Sequence, residues 1–289
     1  MIRRVPPSPG SSVKVAYEEG ICVPARSGPA APAAKAPTIP PASGAIARSI
    51  LACSVTLSTV SVTRRAPCHT RDMTTRDDLD DLMTAVRQGR LRVGPRTRAI
   101  ALILHGGRSV TPQPRRHRDV SYLRMLPFAP AVARVSRGSI APVLVHNRHG
   151  GWIASSGTGL VQTREIVRRL AAEHDLPVVL LGHSSGGWAA LRGGGQDEVI
   201  GSVALAPWVG EHDPVYHLRD KVVRVIHGVD DTVCSPARSR DLVDRLRAVG
   251  GDATYQGVSG GHALLDHPGR WHRLAARAAV EVLERGAGR

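Results

Sequence analysis

The run Val178-Val-Leu-Leu-Gly-His-Ser-Ser-Gly-Gly187 narrows the folds open to this chain more than any other segment. A wholly apolar stretch, short enough to be a buried strand, ends in Gly182-His183-Ser184-Ser185-Gly186. A helix-compatible stretch, Trp188-Ala-Ala-Leu191, follows at once. A G-x-S-x-G pattern in that setting predicts strand, sharp turn and helix, with Ser184 in a strained backbone conformation and its hydroxyl above the sheet. Glycine at 182 and 186 then has a steric reason, because side chains there would collide inside the turn. The first turn of the helix aims its unpaired N–H groups at any anion that forms beside Ser184.

From Met73 onward the pattern alternates between strand and helix. Asp77 to Gln88 reads as a short amphipathic helix with acids in its first turn. Ala99–Leu104, Pro142–Val145, Pro177–Leu181, Val199–Leu205 and Val222–Ile226 are short, largely apolar and rich in β-branched residues, as strands buried on both faces of a parallel sheet are. Helical patterns lie between and after them, notably Thr163 to His174, Ser235 to Val249 and Gly269 to Glu284. The expected fold class is α/β, a doubly wound, mostly parallel sheet with helices on both faces.

A net charge of +15 invites a nucleic-acid reading, but only Lys14, Lys35 and Lys221 are lysines. The arginines are spread among Ala, Gly, Pro and Val, a mix that a GC-rich coding sequence yields without selection for polyanion binding. Apart from Arg115-Arg-His-Arg118 they form no focused patch, so no nucleic-acid partner is expected. Cysteines at 22, 53, 68 and 234 include no C-x-x-C pair, which argues against a disulfide scaffold and a zinc site. A reducing compartment, the cytoplasm, is the simplest expectation. No apolar run is long enough for a membrane span.

The first 70 or so residues differ in kind. Nine prolines from Pro6 to Pro41 recur among Ala, Ser and Gly with little periodicity, so the segment cannot bury enough apolar surface to offset the entropy of ordering it. It is rich in Arg and Ser and poor in acids, but lacks the charged-then-apolar layout of a targeting signal, and no long apolar region precedes Ile50-Leu-Ala-Cys53. Residues 1–72 are expected to be a disordered extension, or an over-extended gene start with Met73 as initiator. Residues 73–289 hold the folded domain.

Ligands of such sheets bind beyond the carboxyl ends of the strands. Those ends carry His105-Gly-Gly-Arg108, then Ser184, then His227-Gly-Val-Asp-Asp-Thr-Val233, and finally Gly260-Gly-His-Ala263 after a weak strand at Ala253–Gln256. A serine, an acid and a histidine therefore stand at strand ends in that order. With these four motifs, residues 98 to 285 resemble the α/β-hydrolase superfamily. The resemblance implies Ser184 as nucleophile, His262 as general base and then acid, and Asp231 as the orienting acid. It also implies an oxyanion hole from the backbone N–H of Ser185 with that of Gly107 or Arg108. No metal or organic cofactor is implied.

Each role has rivals. Asp230 adjoins Asp231 and only one can face the histidine; spacing from Gly228 favours Asp231. His262 follows two glycines at a strand end, whereas His267 and His272 lie in or beside the last helix. His105 reads as a structural shaper of its turn as well as a possible pocket residue. Other possible pocket residues are Arg148, Trp152, His183 and Trp208, with Trp188 and the stretch Tyr122 to Phe128. Arg108 or Arg148 could hold a substrate carboxylate or phosphate. The family's two opening strands are poorly marked, Leu91-Arg-Val93 being the best candidate. Trp208 to Asp220 is too short for a cap domain. The expected activity is that of a compact, lidless serine hydrolase acting on a small-molecule acyl substrate, an esterase first of all. Acyl transfer by the same residues and a non-catalytic binding protein are the alternatives. Deleting residues 1–72 should leave activity and melting temperature nearly unchanged; a large loss in either would make the extension structural.

Overall fold

Five largely apolar runs and the more polar segment Asp252–Val258 become six parallel strands in the computed structural model: β3 (Ala99–Leu104), β4 (Ile140–Val145), β5 (Val178–His183), β6 (Val199–Leu205), β7 (Val222–Gly228) and β8 (Asp252–Val258). They form one sheet in the order β4-β3-β5-β6-β7-β8. Contacts divide the chain into two units, Met1–Arg71 and Asp72–Arg289. The structure describes residues 91–107, 120–147, 152 and 158–288 of the second unit, with Met83. Of the first it describes only β1 (Tyr17–Glu18) and β2 (Ile21–Cys22), an antiparallel pair. The disorder expected for residues 1–72 otherwise falls outside the described residues, as does the helix expected over 77–88 except for Met83, which is helical and buried.

Alternation along each strand sends successive side chains to opposite faces. Ala99, Ala101 and Ile103 of β3 join Val179, Leu181, Val203 and Leu205 on one face. There α1 (Val120–Met125), α2 (Phe128–Val135) and α6 (Pro268–Gly286) cover them through Met125, Phe128 and Trp271. Ile100, Leu102 and Leu104 point the other way, to α3 (Thr158–His174) and α4 (Ser185–Gly193). Farther along the same face, Val223 and Val225 meet Leu242, Val243 and Leu246 of α5 (Pro236–Ala248). Both faces are thus dry, which is why the strands read as continuous apolar runs.

Local chemistry sets the boundaries. Ser235 caps α5 by accepting from the Arg238 N–H, and Pro236 occupies its first turn, where a missing N–H costs nothing. Pro142 is tolerated inside β4 because β4 is an edge strand with β3 as its one neighbour. One expectation is corrected. Leu91-Arg-Val93 forms no strand; Leu91 only packs against the β3–β5 core. The stretch from Tyr122 to Phe128 forms α1 and the start of α2.

Strand order reverses at β3, since the chain goes outward to β4 and returns across β3 to β5. The crevice at such a switch point lies between the carboxyl ends of β3 and β5, and Gly106 and Ser184 stand there. Among the described residues no helix is long and apolar enough to cross a membrane. Leu180 is fully buried on β5, so Leu180→Ala should lower the unfolding free energy in urea by about 2–5 kcal/mol. Val120→Ala, at a position 67% exposed, should change it by less than about 0.5 kcal/mol.

Candidate active site

Ser184 has φ 55° and ψ −119°, a conformation that costs a non-glycine residue about 1–3 kcal/mol. Its surroundings leave no alternative. A Cβ on Gly182 would lie 2.1 Å from the Gly186 carbonyl oxygen, and one on Gly186 would lie 2.4 Å from that of Leu104. Hydrogen bonds hold the turn from three sides: Ser184 N–H donates to Leu205 O, while Ser184 O accepts from the N–H groups of Trp188 and Trp208.

The other strand ends converge on this serine. His262 Nε2 lies 2.9 Å from Ser184 Oγ, and His262 Nδ1 lies 2.8 Å from Asp231 Oδ2. The carboxylate can only accept, so Nδ1 carries the hydrogen and Nε2 is free to accept the serine proton. Asp231 Oδ1 takes two backbone N–H groups, from Val233 at 2.8 Å and Cys234 at 2.9 Å. Burial works against its charge, but the Cys234 N–H, the His262 ring and the Val233 N–H outweigh it and hold the carboxyl below its usual range. Asp230 turns away and accepts from the Gly260 N–H at 3.0 Å. His267 is exposed at the start of α6, and His272 stands edge-on to Phe128. Of the residues weighed from sequence, Ser184, His262 and Asp231 are therefore the ones joined in one hydrogen-bonded chain.

Gly106 abuts this chain from β3. A Cβ there would stand 3.1 Å from Ser184 Cβ and 3.1 Å from His183 Nδ1. Ser185 Oγ donates to Gly107 O at 3.1 Å, which ties the glycine turn to the start of α4. The Ser185 N–H belongs to the first turn of α4, where no helical carbonyl is in reach. Arg108 and Arg148 lie outside the described residues.

Other proposed pocket residues are structural in place. His105 is fully buried; its Nδ1–H donates to Gly106 O and its Nε2 accepts from the Asn147 N–H at 3.0 Å. Trp152 is also fully buried, its Nε1–H donating to His105 O at 2.7 Å. Trp188 is half-buried against the β3–β5 core, and Trp208, whose backbone N–H donates to Ser184 O, is 40% exposed. The segment between β6 and β7 forms only the 3-10 turn Tyr216–Leu218, so no helical cap rises from it. A separate hollow of about 410 Å³ at the amino ends of β3 and β4 holds no nucleophile–base pair. Among the described residues no cluster of His, Cys, Asp and Glu is arranged to hold a metal ion.

Three buried groups were not assigned these places from the sequence. His227 touches Asp231 from behind, Nε2 to Oδ2 at 3.1 Å. Cys234 is buried, and burial together with the Asp231 charge pushes its thiol up to about 12, so it stays protonated beside Ser184. His183 donates from Nε2 to the His262 carbonyl at 2.9 Å and so fixes the loop that carries His262. The signal for His227 and Cys234 was their spacing from Asp231 at the end of a strand; nothing local marks His183.

No family sequence model matches the chain, and no curated protein is similar to it in sequence. Solved structures do match. A sugar hydrolase from Lactococcus lactis has a TM-score of 0.51 at 17% identity, covering 67% of this chain and 91% of its own. Arabidopsis thaliana SOBER1 has a TM-score of 0.50 at 14% identity, covering 66% and 100%. An Agrobacterium tumefaciens protein of unknown function, assigned to the α/β hydrolases, has a TM-score of 0.50 at 16% identity, covering 66% and 87%.

Burial pulls the His183 imidazole down to about 3, with the neighbouring His262 acting in the same direction. The unfolded chain then binds a proton that the folded chain refuses. The stability this neutral ring permits is complete above about pH 6.5 and is lost as pH falls toward 3. Urea unfolding from pH 8 to pH 4 should show that loss, at up to about 1.4 kcal/mol per pH unit below 6.5, and His183→Gln should remove that part of the slope. Identical slopes would refute it. A parallel six-stranded sheet with a glycine-flanked serine at its switch point gives this chain the α/β-hydrolase fold.

Proposed function

We propose that this protein is a serine hydrolase that cleaves an ester, or a related thioester or amide, through an acyl-enzyme. The observation that carries the reading is the unbroken chain Ser184 Oγ, His262 Nε2, His262 Nδ1, Asp231 Oδ2, with both links under 3 Å. A serine hydroxyl is a weak nucleophile until an imidazole takes its proton, and the imidazole needs a carboxylate to hold its tautomer and stabilise the cation.

His262 accepts the Oγ proton as Oγ bonds to the substrate carbonyl carbon. The oxygen gains the negative charge and is received by the N–H groups of Ser185 and of Gly107 or Arg108, each worth about 3–4 kcal/mol in the transition state. Collapse of that intermediate breaks the bond to the leaving group, which takes the proton from His262. Water then repeats the sequence on the acyl-Ser184 ester and releases the acid. The His262 side chain keeps 16% exposure, so water can reach the base. Cys234 does not compete as nucleophile, because its thiol remains protonated. The cysteine spacing, with no C-x-x-C pair, supports a reducing compartment, the cytoplasm.

The open site without a helical cap supports small or extended acyl substrates over a lipase activated at an interface. The fold itself hosts many chemistries and does not choose among them. A fluorophosphonate probe should label the protein at Ser184, and Ser184→Ala or His262→Ala should abolish labelling. Turnover of chromogenic esters should fall by roughly four to six orders of magnitude in either variant. Asp231→Asn should cost far more than Asp230→Asn. Undiminished labelling of folded Ser184→Ala would sink the assignment.

A further inference from the structure

A second histidine stands behind the proposed acid, and the reaction as written does not use it. His227 is the penultimate residue of β7 and is fully buried. Its Nε2 faces two acceptors, Asp231 Oδ2 at 3.1 Å and the Cys234 carbonyl at 3.3 Å. A hydrogen must therefore sit on Nε2. Its Nδ1 meets Ser239 Oγ, also fully buried, at 2.8 Å. Burial disfavours the imidazolium, so Nδ1 stays unprotonated and accepts the Ser239 hydroxyl hydrogen. One tautomer satisfies every partner. A side chain present only for bulk would not need both ring nitrogens engaged in a dry core, where Leu or Val would fill the space.

We propose that His227 is a positioning residue for the reaction: anchored by Ser239, its Nε2–H holds the Asp231 carboxylate in line with His262. The inference rests on the hydrolase reading above. Asp231 Oδ2 then receives two ring donors, one from each histidine, while Oδ1 receives the two backbone N–H groups. All four contacts fix the plane of the carboxylate, and the one from His227 also draws electron density from the oxygen that faces His262. Removing that donor has two effects. Where the carboxylate rotates away from Nδ1 the molecule is slow and adds little to the labelling, and where it still faces Nδ1 it holds the charged ring more tightly, so the rate falls and the acid limb of the remaining activity rises.

The titratable groups facing this arrangement are few. Asp231 and Cys234 come from the loop after β7, and His262 comes from the loop after β8. Asp230 is turned to the Gly260 N–H, and His183 of β5 lies beyond His262 at 5.0 Å between ring centroids. None of these replaces the Nε2–H of His227 at Oδ2.

The test is the pH dependence of fluorophosphonate labelling in the full-length protein, with Ser184→Ala as control and thermal melts to establish folding. In His227→Leu the labelling rate should fall by about tenfold or more, and the acid limb of its pH profile should move to higher pH by about half a unit or more. His227→Gln, which retains an N–H donor, should bring the limb back toward its original position. Ser239→Ala should move it in the same direction as His227→Leu, by less, and decides the matter if His227→Leu does not fold. A merely structural role would lower stability or rate and leave the limb in place. Ser184-dependent labelling with an unmoved limb in a folded variant overturns the role of His227. Labelling that persists in Ser184→Ala overturns the hydrolase reading instead.

Discussion

At the end of β5 the backbone of Gly182 passes so close to Gly186 that a Cβ would stand 2.1 Å from its carbonyl oxygen, inside any real contact distance. This crossing lets α4 leave the sheet with Ser184 held at φ 55° and its hydroxyl above the strand ends. A second crossing does the same for the partners. A Cβ on Gly228 would lie 2.2 Å from the Gly260 carbonyl oxygen, so the ends of β7 and β8 close on each other and bring Asp231 to His262. Gly106 supplies a third close approach, from β3 onto Ser184. Strain at one serine, about 1–3 kcal/mol, is small against the burial of six strands between two helical layers, and that imbalance lets the turn persist.

How much of this could be read from residues follows from the range over which each signal acts. The runs at Ala99–Leu104 and Val199–Leu205 are strands as expected, because short segments this apolar between turns suit a sheet buried on both faces. α5 is bounded as its sequence suggests, since Ser235 and Pro236 act locally. By contrast α1 and α2 went unread. Pro127 and Pro130 interrupt their pattern, and α2 is held by packing on α6, a contact between residues far apart in sequence. The reading of Leu91-Arg-Val93 as a strand failed for a related reason: one alternation of apolar and basic residues carries no information about a neighbour to pair with.

The site shows the same division. Ser184, Asp231 and His262 each carry a local signature, a glycine pair or an acid at fixed spacing after a strand. Spacing from Gly228 favours Asp231 over Asp230, and the path of the loop sends the Asp231 carboxylate to His262 and that of Asp230 to the Gly260 N–H. His105, Trp152 and His183 were placed among possible pocket walls because they stand at strand ends. Their burial assigns them to the support of the glycine turn and of the loop bearing His262. Position along a strand tells which end a side chain occupies; only packing tells whether it faces solvent.

Three imidazoles gather around one carboxylate at these strand ends, and their burial separates their roles. His183 and His227 are within 1% of full burial, and desolvation holds both in the neutral form. His262 alone of the three keeps its ring partly open, with a carboxylate on one nitrogen and a hydroxyl on the other. Were either buried ring charged, the field of Asp231 would be divided, and in the proposed reaction an imidazolium at His262 would face a second cation. Neutral His227 instead acts as a dipole whose positive end points at Asp231, and neutral His183 as a tether on the His262 backbone. The negative charge buried at Asp231 is thereby directed to the one ring that can exchange a proton with Ser184.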